Sequence, residues 1–176
     1  MNIKSILSIG VVVAIGALVL FGRASNDGSG STTINAADAT TYDQSKPDVI
    51  TVYKTEACGC CLNWVAHLET NGLEVEVVNV ASTAPTREHF GVPPQLLSCH
   101  TGSINGYWVE GHVPADLVQK LITEKPADIR GISAPGMPMG SPGMEGPNPV
   151  QYDIIAYHAD GTTSVYATRQ GEEAVD

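Results

Sequence analysis

The stretch VITVYKTEACGCCLNWVAHL, residues 49–68, sets the fold: an apolar run leads into three crowded cysteines and then into an amphipathic segment. The apolar composition of residues 49–53 predicts a buried strand, and residues 62–68 predict a helix. Cys58-Gly59-Cys60-Cys61 therefore lies at a strand-to-helix turn, with its sulfurs near a helix N-terminus. There the unpaired N–H groups and the helix dipole favour thiolate, the form of cysteine that binds soft metals and attacks disulfides.

A β-α-β unit is predicted around this turn. The helix is expected to end at Asn71-Gly72, a favourable C-cap pair, after about three turns. Its apolar face is predicted to comprise Cys61, Leu62, Trp64, Val65 and Leu68. Residues 73–80 alternate between apolar and polar side chains, which predicts a second strand, parallel to the first and reached by a right-handed crossover.

Downstream, the pattern predicts a short strand, a hairpin and a helix. A polar stretch, residues 81–90, precedes Pro93-Pro94 and a short strand at 95–98, with Cys99-His100 at or just beyond its end. Residues 102–106 are predicted to be a turn, with Asn105-Gly106 as the stronger hairpin signal. A strand at 107–109 and a helix at 115–124 after Pro114 follow. This order is that of a thioredoxin-like α/β fold, in which Pro94 takes the place of a cis-proline beside the cysteine turn.

A loop and a second hairpin complete the predicted domain, which spans residues 47–168. Residues 126–149 form a long irregular loop dense in Met, Pro and Gly, a length that is uncommon unless the loop is functional or disordered. Strands at 150–158 and 162–168, joined by Ala159-Asp160-Gly161, form a β-hairpin. Residues 169–176 are expected to be a frayed acidic tail.

The N-terminal residues 1–24 are predicted to be a signal peptide or a membrane anchor. Lys4 precedes a 16-residue apolar stretch, residues 6–21, whose length suits either a signal-peptide core or a short spanning helix. Residues 25–46 are rich in Ser, Thr, Ala, Asn and Asp and are expected to be a flexible linker. A cleaved signal peptide and a membrane anchor would both place the remaining chain outside the cytoplasm, where disulfides persist.

The charge of the chain argues against one class of partner. Lys4 and Arg23 are the only charged residues in the first 24, so the remainder carries 7 basic and 19 acidic side chains, a net charge of −12. Nucleic-acid recognition relies on clustered Lys and Arg, so no nucleic-acid partner is expected.

Two kinds of chemistry are open to the cysteines. Cys58 and Cys61 have the C-x-x-C spacing of a thioredoxin-type dithiol, although Cys60 between them would promote scrambled disulfides. A metal site is the alternative, and its candidate ligands are Cys58, Cys60, Cys61, Cys99, His100, His112, Met137, Met139 and Met144. A site so rich in soft sulfur selects Cu(I), with zinc as the main competitor, and it offers more donors than one tetrahedral ion needs.

Structural disulfides are a third interpretation. Four cysteines in an exported chain commonly form two bridges, for example Cys58–Cys61 and Cys60–Cys99. Three cysteines crowded at one turn make poor cross-links, however, since a bridge over so few residues removes almost no loop entropy.

Three longer motifs contain the candidate ligands: YKTEACGCCLNWVAHL from Tyr53, GVPPQLLSCHTGSINGYWVEGHVP from Gly91 and PGMPMGSPGME from Pro135. Together they resemble the CopG-like family of exported bacterial proteins. The resemblance implies a thioredoxin-like fold and a periplasmic copper-binding protein of copper resistance. It implies that Cys58, Cys60, Cys61 and Cys99 form the copper site, with His100, His112 and the methionine loop nearby.

Storage, transfer and oxidation of copper are all left open by the resemblance. The first hypothesis is therefore a binding protein that works with other periplasmic copper-handling proteins. The second is an enzyme, either a thiol-disulfide oxidoreductase using Cys58 and Cys61 or a copper oxidoreductase.

Overall fold

A computed structural model describes residues 46–175, so the predicted leader and nearly all of the predicted linker lie outside the described part of the chain. The strands are β1 (Val49–Lys54), β2 (Glu74–Asn79), β3 (Thr101–Ile104), β4 (Tyr107–Glu110), β5 (Ile129–Ser133), β6 (Gln151–His158), β7 (Thr163–Gln170) and β8 (Glu173–Ala174). The helices are α1 (Gly59–Thr70), α2 (Ala84–Phe90) and α3 (Ala115–Glu124). Within residues 46–175, no helix has the length and hydropathy needed to cross a membrane.

The strands form one mixed sheet in the order β2-β1-β3-β4-β5-β6-β7-β8. The β1–β2 and β4–β5 pairs are parallel, whereas β1–β3 and β3–β4 are antiparallel. Helices α1 and α3 share one core with the sheet, while the segment after α2 packs with Trp108 in a second, smaller cluster. Trp108 and Val109 belong to different clusters because neighbouring strand residues point to opposite faces. This mixed α/β architecture is compatible with the predicted thioredoxin-like order.

The predicted β-α-β unit is confirmed. Strands β1 and β2 pair in parallel over six residues each, and α1 ends at Asn71, followed by Gly72 with a left-handed φ of 83°. One predicted core residue is wrong: Leu62 exposes 50% of its surface. It lies in the first turn of α1, outside the buried stripe formed by Cys61, Trp64, Val65 and Leu68.

The segment between α1 and β4 departs most from prediction. The polar stretch contains α2, which has Pro85 in its first turn and ends at Gly91 in a left-handed conformation. The predicted strand at 95–98 is instead a 3-10 turn, Pro94–Leu96, in which the Leu96 N–H donates to the Pro93 carbonyl over 2.9 Å. Pro94 is not a cis-proline, since the described residues contain no cis peptide bond.

The true third strand begins two residues after Cys99, in a stretch that composition predicted to be a turn. Gly102 is a close-packing residue rather than a turn residue, because a Cβ there would lie 3.0 Å from Ile50 Cδ1. Cys99-His100 therefore precedes β3 instead of following a strand, while the predicted turn at Asn105-Gly106 does connect β3 to β4.

The C-terminal part of the domain is more regular than predicted. Strand β5 lies inside the stretch predicted to be an irregular loop, and it pairs with both β4 and β6. The predicted hairpin is confirmed as β6–β7. The residues expected to fray instead extend β7 to Gln170 and form β8. The loop that remains, residues 134–150, packs back toward the cysteine turn.

Candidate metal centre

The cysteine turn begins helix α1 directly. Cys58 is the N-cap residue, in extended conformation, and its N–H donates to the Thr55 carbonyl over 3.1 Å. Cys58 and Cys61 form a disulfide, while Cys60 is a free, half-buried thiol whose sulfur lies 3.6 Å from that of Cys58. The turn thus places all three sulfurs at the helix N-terminus, as the sequence predicted.

Cys99 completes a cluster of four sulfurs. Because β3 lies next to β1, the residue that precedes β3 meets the turn that follows β1. The Cys99 sulfur lies 3.6 Å from that of Cys61 and 3.9 Å from that of Cys60. All four cysteine sulfurs lie within 4.8 Å of one another, which is close enough to hold one metal ion once the Cys58–Cys61 disulfide is reduced.

Two histidines extend this cluster through Cys99. The Cys99 sulfur lies 3.2 Å from His100 Nδ1 and 3.1 Å from His112 Nε2. His112 Nδ1 lies 2.8 Å from the Pro142 carbonyl oxygen, which can only accept a hydrogen bond. Neutral His112 is therefore protonated at Nδ1, and its Nε2 lone pair is directed at the Cys99 sulfur.

Burial keeps both imidazoles neutral. Neither histidine is exposed, and His100 lies against the Trp64 ring at 4.3 Å between centroids. Burial and the neighbouring His112 lower the pKa of His100 to about 3, and burial also lowers the pKa of His112. The buried Nε2 of His100 has no hydrogen-bond partner among residues 46–175. Neutral imidazole is the form that binds a metal.

Gly111 sets the position of His112. Its φ is 72°, and a Cβ there would collide with Ser98 and with the Ala134 carbonyl oxygen. Only glycine fits this position without displacing the chain beside Cys99. Val113, the residue after His112, is fixed by Trp64, whose indole N–H donates to the Val113 carbonyl over 2.8 Å.

A buried ion pair beside the site was not predicted from the sequence. Glu110 is fully buried and accepts hydrogen bonds from Arg87, Ser98 and Thr101. Burial raises the pKa of Glu110, and those three donors oppose the rise. Glu110 stands in the same motif as His112, but its partners come from elsewhere in the chain. The pairing of β3 with β4 places Thr101 opposite it, and Arg87 reaches it from α2.

The methionine loop touches the site through its backbone. A Cβ on Gly143 would lie 2.7 Å from the Cys60 carbonyl oxygen and 2.7 Å from the Trp64 nitrogen, so the loop lies directly on the first turns of α1. Met137 and Met139 are 55% and 43% exposed, and Met144 is half-buried. Their role as ligands stays a prediction.

The donor set fits a soft metal ion. Four sulfurs and two neutral imidazoles converge, and no carboxylate belongs to either group of metal-binding side chains in the described part of the chain. Burial and the neighbouring Cys60 raise the pKa of Cys99 to about 12, so metal binding there must displace a proton. The arrangement favours copper(I) or zinc over hard cations such as Mg²⁺.

Comparisons with known proteins agree with this chemistry. Residues 96–144 match the family described as "Protein of unknown function, DUF411". The structure is similar to two solved structures named copper resistance protein CopG, Form 1 and Form 2, each at 42% identity and a TM-score of 0.66. The matches cover 72% and 70% of this chain, and 100% and 99% of those chains. No curated protein matches the chain.

Proposed function

Since the chain belongs to the family of CopG-like copper resistance proteins, we propose that it binds Cu(I) through the thiolates of its cysteine cluster. The observation that carries this proposal is the convergence of four cysteine sulfurs within 4.8 Å. Thiolate is a soft ligand and selects Cu(I) over the hard cations. The same cluster adjoins His100 and His112 through Cys99, so more donors are present than one tetrahedral ion requires. A small cluster of copper ions therefore fits the site.

Copper binding is linked to the redox state of the turn. An external dithiol must first reduce the Cys58–Cys61 disulfide, giving up two electrons and two protons and becoming a disulfide itself, before all four cysteines are free thiols. Binding then displaces thiol protons, which makes the affinity for copper rise with pH. Cys99 is shared between the sulfur group and the histidine group, so it is the natural bridging donor. Met137, Met139 and Met144 belong to the loop that lies on the first turns of α1, and we expect them to deliver copper to the cysteines.

An anaerobic Cu(I) titration of the reduced full chain tests the proposal. A coloured chelator of known affinity competes for copper, and the protein is compared with Cys60→Ser. The variant removes one sulfur but leaves the C-x-x-C pair, so copper affinity should fall by roughly 100-fold or more while the Cys58–Cys61 disulfide still forms. Asn63→Ser, an exposed change in the same helix, is the matched control. Unchanged affinity in Cys60→Ser would overturn the multi-thiolate site.

A second candidate function is thiol-disulfide exchange by Cys58 and Cys61. The disulfide between these residues at a helix N-terminus favours it. An insulin-reduction assay distinguishes the two functions, because exchange needs only the C-x-x-C pair. Activity retained in Cys60→Ser and lost in Cys61→Ser would support exchange.

The site is proposed to work in the periplasm, alongside other copper-handling proteins. This proposal rests on Lys4 and the apolar stretch at residues 6–21, which suit a signal peptide or an inner-membrane anchor. Cell fractionation with antibody detection provides the test: recovery of the chain in the cytoplasmic fraction alone would contradict export.

A further inference from the structure

The segment that carries Cys99 lacks regular secondary structure. The 3-10 turn ends at Leu96 and β3 begins at Thr101, so the residues between them are outside both the helices and the sheet ladder. A metal site nevertheless requires its ligands to be held within a fraction of an ångström. Side chains must therefore provide the support that the backbone ladder does not.

Glu110 and Arg87 bind this segment from both sides. Glu110 Oε1 accepts from the Ser98 N–H over 2.8 Å, and Glu110 Oε2 accepts from the Thr101 hydroxyl over 2.6 Å. These two donors flank Cys99-His100. Arg87 donates from Nε to Glu110 Oε1 over 2.9 Å and from Nη2 to the Ser98 carbonyl. Both backbone polar groups of Ser98, the residue before Cys99, are thus fixed by one ion pair.

Stabilisation of the fold alone does not explain why a charged pair is buried at this position. Burying a carboxylate and a guanidinium costs desolvation energy, and well-packed apolar residues often stabilise a fold at least as well. Glu110 is fully buried and the Arg87 side chain is only 16% exposed, so most of this cost applies. What an ion pair adds over apolar packing is direction, because each hydrogen bond fixes one backbone or hydroxyl group.

We propose that Arg87 and Glu110 are positioning residues that hold Cys99 against Cys60, Cys61 and His112 so that the site is formed before copper arrives. The inference rests on the proposed copper function for its consequence and on the hydrogen bonds around Ser98 and Thr101 for its mechanism. Neither residue belongs to either group of candidate metal ligands. They act through the Cys99-His100 backbone.

The test compares Glu110→Gln with Arg169→Gln in the anaerobic Cu(I) competition. Glutamine keeps the size of Glu110 but lacks the charge and one acceptor, so copper affinity should fall by about 10- to 100-fold, the range for losing an orienting contact. Arg169 is also a largely buried arginine in an ion pair, but its hydrogen bonds go to Asp116 and Thr168, which are not part of the Cys99 segment. Its variant should stay within threefold of wild type.

Two further variants separate positioning from general stability. If Glu110 acts through Cys99, Glu110→Gln should add no further loss in a Cys99→Ser background, whereas a non-specific effect would be additive. Thr101→Val removes one donor to Glu110 with little change in shape, and it should give a smaller loss in the same direction. It serves in place of Glu110→Gln if that variant does not fold. Folded variants with wild-type affinity would overturn the proposal.

A copper-free measurement keeps the inference independent of the proposed function. In a Cys58→Ser/Cys61→Ser background only Cys60 and Cys99 remain, with sulfurs 3.9 Å apart. Equilibration with oxidised and reduced glutathione gives the effective concentration of one thiol at the other, and Glu110→Gln should lower it at least tenfold. If wild type takes up no copper, the copper proposal fails. An unchanged effective concentration in Glu110→Gln overturns the positioning role in either case.

Discussion

Two regions of this protein carry candidate copper ligands, the Cys99 segment with its two histidines and the methionine loop, and they differ in burial. The histidines beside Cys99 have no exposed surface, whereas Met137 and Met139 on the loop are 55% and 43% exposed. The sequence suggested both regions as copper ligands on equal terms. If the proposed copper function holds, we expect the first region to set the affinity for copper, because its donors are buried and oriented, and the second to meet copper at the surface.

Support from neighbouring residues explains the difference. Ser98, the residue before Cys99, is hydrogen-bonded through both of its backbone polar groups to the Glu110–Arg87 pair, and His112 is oriented by the Pro142 carbonyl. The Met139 sulfur instead lies beside Gly146 within its own loop. Rigid donors lose little entropy when they bind a metal, whereas a flexible exposed methionine must be ordered at that moment.

The largest effect is expected for Cys99→Ser, which removes the one sulfur shared by both donor groups. Copper affinity should fall by more than about 100-fold, beyond the range for losing an orienting contact. The chelator competition measures it, and thermal unfolding of the copper-free variant checks that the fold is retained. An affinity loss no larger than that of the methionine variant below would remove the contrast between the two regions.

An intermediate effect is expected when acid lowers the stability of the copper-free protein, and it arises from the buried histidines beside Cys99. The pKa of His100 is lowered from 6.5 to about 3, so below pH 6.5 the unfolded chain binds a proton that the folded chain does not. Above pH 6.5, His100 therefore does not reduce the free energy of unfolding of the copper-free protein. This free energy should fall by about 1.4 kcal/mol per pH unit toward pH 3, and the lowered pKa of His112 acts in the same direction.

Urea unfolding at pH 7 and pH 5 measures this dependence. The expected loss from His100 alone is about 2 kcal/mol. His100→Phe keeps a ring against Trp64 and should weaken the dependence. Equal pH dependence in both proteins would contradict burial of a neutral histidine.

The smallest effect is expected for the double variant Met137→Leu/Met139→Leu. Leucine has a similar volume, and both positions are exposed, so the fold should be unaffected. Equilibrium affinity for Cu(I) should change by less than about threefold, or roughly 0.6 kcal/mol. Stopped-flow transfer of copper from the chelator should nevertheless slow. A loss of affinity matching that of Cys99→Ser would place the methionines among the tight ligands.

The fold was most predictable where neighbouring residues decide it. The apolar run, the cysteine turn and the Asn71-Gly72 cap predicted β1, α1 and its end, and Asn105-Gly106 marked the turn between β3 and β4. Prediction failed at β3, where small and polar residues are buried in the middle of the sheet. Gly102 resembles a turn residue until Ile50 and Trp64 are seen packed against it.

The candidate metal site likewise has a part that the local sequence predicts and a part that depends on tertiary contacts. The sequence by itself placed three sulfurs at a helix N-terminus, because strand and helix periodicity fix a turn of so few residues. The family resemblance implied that Cys99 joins those sulfurs, but local pattern did not, and the tertiary structure shows the contact. Only the tertiary structure paired Glu110 with Arg87. Cys61 and Cys99 are 38 residues apart, and Arg87 and Glu110 are 23 apart. Contacts over such separations depend on which strands become neighbours and in what register. That choice is made by burial of the whole core rather than by any local pattern.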